Sequence, residues 1–168
     1  NNEIIDANER QITFSIRNVQ ASNGVLHVLE NVILPESNLA DPGSGDGEVS
    51  FTLNNEANLA YFVSEINGNE NVSPLSENNS TWTLSSGTRY NINVVNAGSH
   101  PLELRNGANE TLLAQSDAIE GSFENDEEVN FAIEGTIFSF TLTPELTNQL
   151  TNYFCSNHPA MNGDILVE

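Results

Sequence analysis

The segment Tyr153-Phe154-Cys155-Ser156-Asn157-His158-Pro159-Ala160-Met161 holds the chain's one Cys, its one Met and one of its three His within seven residues. An isolated Cys or Met is usually a small hydrophobe or a gap filler in a core. Here a thiolate, an imidazole and a thioether fall at the spacing Cys-x2-His-x2-Met. Soft sulfur with imidazole selects copper, and one thiolate, two imidazoles and a distant thioether describe a blue-copper electron-transfer site. Such a site needs a second His. His100, in Asn96-Ala97-Gly98-Ser99-His100-Pro101, is the better candidate, because it follows a predicted strand (90–95) on a Gly-containing loop with another apolar run beyond it. The alternative, His27, sits before the Gly/Asp-rich stretch 41–47.

The elements that must position these residues are short strands. Period-two alternation runs through Ile12, Phe14 and Ile16, then Val49, Phe51 and Leu53, then Trp82 and Leu84. It returns at Tyr90, Ile92 and Val94, at Val129, Phe131 and Ile133, and at Phe138, Phe140 and Leu142. Many short half-buried strands separated by Gly, Asn, Ser and Pro predict an all-β fold, an antiparallel Greek-key β-sandwich. Thr143-Pro144-Glu145 predicts a capped helix over 144–150. The stretch 25–34 fits a helix through Val25, Val28, Leu29 and Val32, and a strand on its β-branched content, which is the reading preferred. Two loose stretches, 41–47 and 67–80, punctuate the chain. The expected organisation is a main domain over 57–168 and a β-rich N-terminal extension over 1–56. That extension is too short for a robust core of its own, so it would pack on the main domain or on a neighbouring chain.

Composition narrows the function classes. The 168 residues carry 24 Asp and Glu against 4 Arg and no Lys, a formal net charge of −20. No basic footprint exists for nucleic acid or for an anionic bilayer. Carboxylates spread along the whole chain favour a protein that works in high salt, where self-repulsion is screened, over an acidic face for one basic partner. No apolar run reaches the ~18 residues of a membrane span. A start at Asn1-Asn2-Glu3 and four sequons, at Asn71, Asn78, Asn79 and Asn109, fit an exported and processed chain. One Cys excludes an intrachain disulfide and a two-copper thiolate site, and three His are too few for a multicopper oxidase. No Gly-x-Ser-x-Gly signal supports a hydrolase. The acidic stretch 41–48 lacks EF-hand spacing and reads as a solvated linker rather than a calcium site.

On these residues the chain resembles the cupredoxins: plastocyanin, amicyanin, pseudoazurin and halocyanin. The Cys155-to-Met161 loop is most similar to the short amicyanin loop, and the acidity suggests a haloarchaeal, halocyanin-like relative. The resemblance covers roughly 57–168. It implies one type 1 copper per chain, with His100, Cys155 and His158 near a trigonal plane and Met161 as a weak axial ligand. It implies a non-enzymatic electron carrier serving redox partner proteins outside the cell or at its surface, held at a membrane only by an unseen anchor. One departure stands out. Where the family commonly has Asn after the upstream His, whose N–H donates to the Cys sulfur, this chain has Pro101, which carries no N–H. Asn157 has an N–H where amicyanin has Pro. A rival reading is an extracellular filament or adhesion subunit that carries such a domain and lends its N-terminal segment to a neighbour as a homo-oligomer. A third is a copper-storage or delivery module.

Overall fold

The computed structural model describes residues 47–68 and 71–168 in full, and only the backbone of four strands in the region before them. The chain divides into two compact units, Asn1–Asp41 and Pro42–Glu168. In the first, β1 (Ile4–Ile5) pairs with β2 (Gln11–Ile12), and β3 (Phe14–Ala21) forms an antiparallel pair with β4 (Gly24–Leu29). His27 lies in β4. The predicted strand at 25–34 is therefore seen as far as Leu29; residues 30–34, and most of the acidic stretch 41–48, lie outside the described residues.

The second unit holds ten strands: β5 (Glu48–Glu56), β6 (Ala60–Asn67), β7 (Trp82–Leu84), β8 (Arg89–Val94), β9 (Leu102–Asn106), β10 (Thr111–Ala114), β11 (Ala132–Glu134), β12 (Ile137–Thr141), β13 (Leu150–Cys155) and β14 (Asn162–Val167). They form two five-stranded sheets, ordered β11-β12-β8-β5-β6 and β10-β9-β13-β14-β7. The inner faces meet in one core. Phe51 of the first sheet meets Trp82 of the second edge-on at 5.1 Å, and Trp82 stacks on Tyr153 at 3.9 Å. The fold is an all-β sandwich, and among the described residues no helix is long and apolar enough to cross a membrane.

Four expectations change. The sheets are mixed rather than purely antiparallel: β5 runs parallel to β8, and β14 parallel to β7. Alternation reports which side chains are buried, not which way a neighbouring strand runs, and between β5 and β8 the chain visits β6 and then the other sheet. The boundary expected at 56/57 also moves. β5 lies inside the sheet between β6 and β8, so residues 48–56 belong to the sandwich. The predicted helix shortens to α1 (Pro144–Thr147). Thr143 caps it by accepting from Leu146 N–H, and Leu150 already starts β13. Similarly, only Ala132–Glu134 of the run at 129–133 is strand. The Asp126 carboxylate accepts from Glu128 N–H at 2.9 Å and holds that stretch in turns, a local bond that competes with the ladder.

Candidate metal centre

All the chemistry gathers at one end of the second sheet. β8 ends at Val94, and a turn follows in which Asn96 takes the left-handed conformation (φ 60°), tolerable for Asn. Its carbonyl accepts from Ser99 and His100 N–H, at 2.8 and 2.9 Å, and this presents His100 just before β9. β13 ends on Cys155, opposite Leu102 of β9. The loop that follows is closed by its own backbone. Cys155 N–H donates to Met161 O at 2.9 Å, and Met161 N–H to His158 O at 2.9 Å. Pro101 O accepts from Ser156 N–H at 3.1 Å, and the Asn157 amide donates to Ser99 O at 3.0 Å, so the two histidine-bearing loops are stitched together.

The result is a triangle of donor atoms. His100 Nδ1 and His158 Nδ1 lie 3.1 Å apart, and Cys155 Sγ lies 3.9 and 3.8 Å from them. A point equidistant from the three atoms is about 2.1 Å from each. That matches a metal–imidazole bond, roughly 2.0–2.1 Å, and is slightly short of a metal–thiolate bond, roughly 2.3 Å. The donor set therefore fits a soft first-row metal ion without rearranging the chain. The structure brings together His100, Cys155 and His158 of the four candidate residues. Met161 closes the same loop, with its side chain fully buried in the core. His27 belongs to the other compact unit.

Electrostatics favours a neutral His100. Burial, and then the neighbouring His158, push His100 below the ordinary imidazole range, so its ring is neutral and able to ligate at neutral pH. Cys155 is fully buried and His100 is 5% exposed, whereas His158 is only half-buried. Water is thus kept from the sulfur while one imidazole edge faces out.

Several contributors had no signal in the sequence. The Tyr61 hydroxyl donates to His100 O at 2.7 Å inside the core, and burial followed by Cys155 raises its pKa. The Asn79 side chain accepts from Tyr61 N–H at 3.1 Å and donates to Ala160 O at 2.9 Å. These two residues lie 39 and 81 positions from the loops they hold, a separation no local pattern reveals. Asn79 is also one of the four sequons, and its amide is committed to this bridge.

No family model matches the chain, and no curated protein is similar to it. Among solved structures it is similar to a rusticyanin variant, at 16% identity over 74% of this chain and 79% of that one, with a TM-score of 0.36. It is also similar to a reduced amicyanin variant, at 14% identity over 75% and 87%, with a TM-score of 0.30.

Proposed function

We propose that this chain is a non-enzymatic carrier of single electrons, built around one type 1 copper ion held by His100, Cys155 and His158, with Met161 as the weak axial ligand. The observation that carries the reading is the donor triangle: one thiolate and two imidazole nitrogens spaced for a single soft metal ion. Copper in such a site supplies one-electron chemistry by alternating between Cu(I) and Cu(II). The protein's part is to change shape little as it does so. Cys155 sits on a strand end, His100 on a turn fixed by Asn96, and the Cys155–Met161 loop on its own backbone bonds. The half-buried ring of His158, beside exposed Pro159 and Ala160, offers the port to redox partner proteins. A small apolar contact suits a carrier that must leave quickly. The acidic, Lys-free composition supports work in high salt, outside the cell or at its surface.

The deciding experiment is a visible absorption spectrum of the copper-loaded protein with voltammetry beside it. An intense thiolate-to-copper band and a reversible one-electron wave are expected. Met161→Leu should keep the copper and shift the midpoint. Copper bound without the band, or without the wave, favours storage over transfer. A melting temperature unchanged between ~0.1 M and ~3 M salt, where the Debye length falls from ~10 Å to below ~3 Å, removes the high-salt part of the reading.

A further inference from the structure

Glu103 is the one carboxylate of the described residues that is fully buried, at 0% exposure. It lies on β9, three residues after His100 and directly across the ladder from Phe154, which precedes Cys155. Its Oε2 accepts from Arg105 Nε at 2.9 Å and from Thr111 Oγ1 at 2.8 Å. Its Oε1 is buried with no hydrogen-bond partner. Ser156, the residue after Cys155, is a donor that interacts with this carboxylate. The Ser156 hydroxyl is turned to Pro101 O at 3.5 Å, a long contact, and rotation toward Oε1 would satisfy both groups.

We propose that Glu103 is a positioning residue that sets the reduction potential of the centre: a buried negative charge beside the strand that bears the ligand sulfur, favouring the oxidised over the reduced ion. The inference rests on the blue-copper reading above. Burying a carboxylate is costly unless it is paired, and a packed apolar residue would serve stability as well. The pairing here keeps the charge rather than cancelling it. Burial alone would push the Glu103 carboxyl up, but its interactions with Arg105, Ser156 and Thr111 outweigh it and hold the group ionised. Arg105, stacked 3.7 Å over the Phe154 ring, is 18% exposed, so the cation lies nearer to water than the fully buried anion. The charge also lies close to the ligands in the fold: Glu103 is three residues after His100, and it faces Phe154, the neighbour of Cys155. A unit charge within ~10 Å, at an effective dielectric of ~20, changes a one-electron equilibrium by about tenfold.

The test is the midpoint potential of copper-loaded Glu103→Gln, Glu103→Asp and Arg105→Gln. Glu103→Gln should raise the ratio of reduced to oxidised protein at a fixed electrode potential by about tenfold, ~59 mV for one electron. Glu103→Asp, which keeps the charge, should move it by less than half as much, and Arg105→Gln should move it the opposite way at pH 8. Equal shifts in the Gln and Asp variants, or no shift in either, overturn the proposal. If Glu103→Gln does not fold, the Asp and Arg105→Gln pair still decides the sign. A second readout needs no metal: the side-chain carbon-13 signal of Glu103 in the metal-free wild type should report an ionised carboxylate at pH 7, and a protonated one overturns the inference. A missing thiolate band in the wild type counts against the functional reading instead.

Discussion

The two sheets of the sandwich depart from strict alternation in different ways. In β11-β12-β8-β5-β6 the alternation holds along β5 and β8: Val49, Phe51 and Leu53 point inward, as do Tyr90, Ile92 and Val94. In β12 the residue buried between Phe138 and Phe140 is the small, neutral Ser139, and the β5–β6 ladder slips between Thr52 and Leu53. The polar side chains of this sheet pair with one another. Ser139 donates to Asn91 at 2.7 Å, Thr136 to Asn93 at 2.8 Å, and Asn91 to Glu48 at 2.6 Å. In the other sheet the pattern fails around β9. Leu102, Glu103 and Leu104 are all buried, and both ladders of β9 slip register, between Thr111 and Leu113 on one side and Leu150 and Asn152 on the other. The three clustered metal-ligating side chains lie at the end of this sheet. Both sheets depart from alternation, but the first buries a neutral hydroxyl where it does so, and the second buries a carboxylate beside the strand that ends on Cys155.

That contrast can be broken from either side. The largest effect belongs to the second sheet: Cys155→Ser should abolish the thiolate band outright, since in the proposed site the sulfur is the charge-transfer donor, as absorption of the copper-loaded variant will show. In the first sheet, Phe140→Ala removes a fully buried ring stacked 5.5 Å from Tyr90. It should cost about 3–5 kcal/mol in denaturant unfolding while leaving the band position of the folded protein alone; a shifted band would mean the sheets are not separable in this way.

Gly163→Ala sharpens the comparison within the site sheet. A Cβ there would meet the Tyr153 hydroxyl, which crosses the glycine to donate to Ser80 O at 2.7 Å. Overpacking at that point should cost about 1–3 kcal/mol. Gly98→Ala, in the turn before His100 where a Cβ meets nothing within 4 Å, should cost less in the same urea titration.

The smallest effect is one of pH. His100 is depressed by burial and by His158, so the unfolded chain binds that proton first. Stability of the metal-free protein should be fully present above the ordinary imidazole range, ~6.5, and fall as pH drops through it. His100→Gln should flatten that slope in chemical denaturation across pH 5–8.

The same contrast explains what the sequence could disclose. β5, β7, β8 and β12 were legible because their apolar residues recur every second position. The site was legible because Cys, Met and His are rare here and fall together. Strand direction was not, since burial carries no sense of polarity. Glu103 was not either. A Glu between two Leu reads as the solvent side of an alternating strand, and only the packing of Arg105 and Phe154 over it makes that face an interior. Tyr61 and Asn79 act through contacts between distant segments, where composition has nothing to say.

The 71–80 segment that steadies Ala160 also lies along an open strand. β6 is the last strand of its sheet, and the carbonyls of Val63 and Tyr61 on its outer side accept from Ser76 N–H at 2.8 Å and Asn79 N–H at 2.7 Å. Unpaired strand edges are templates on which foreign strands add. The segment therefore acts as a plug for half of β6 as well as a brace for the ligand loop, and Asn79 belongs to both. Damage that frees the ligand loop, such as oxidation of Met161 to a bulkier polar sulfoxide, would pull on the plug as well. Loss of the metal site and the onset of self-association would then be a single event.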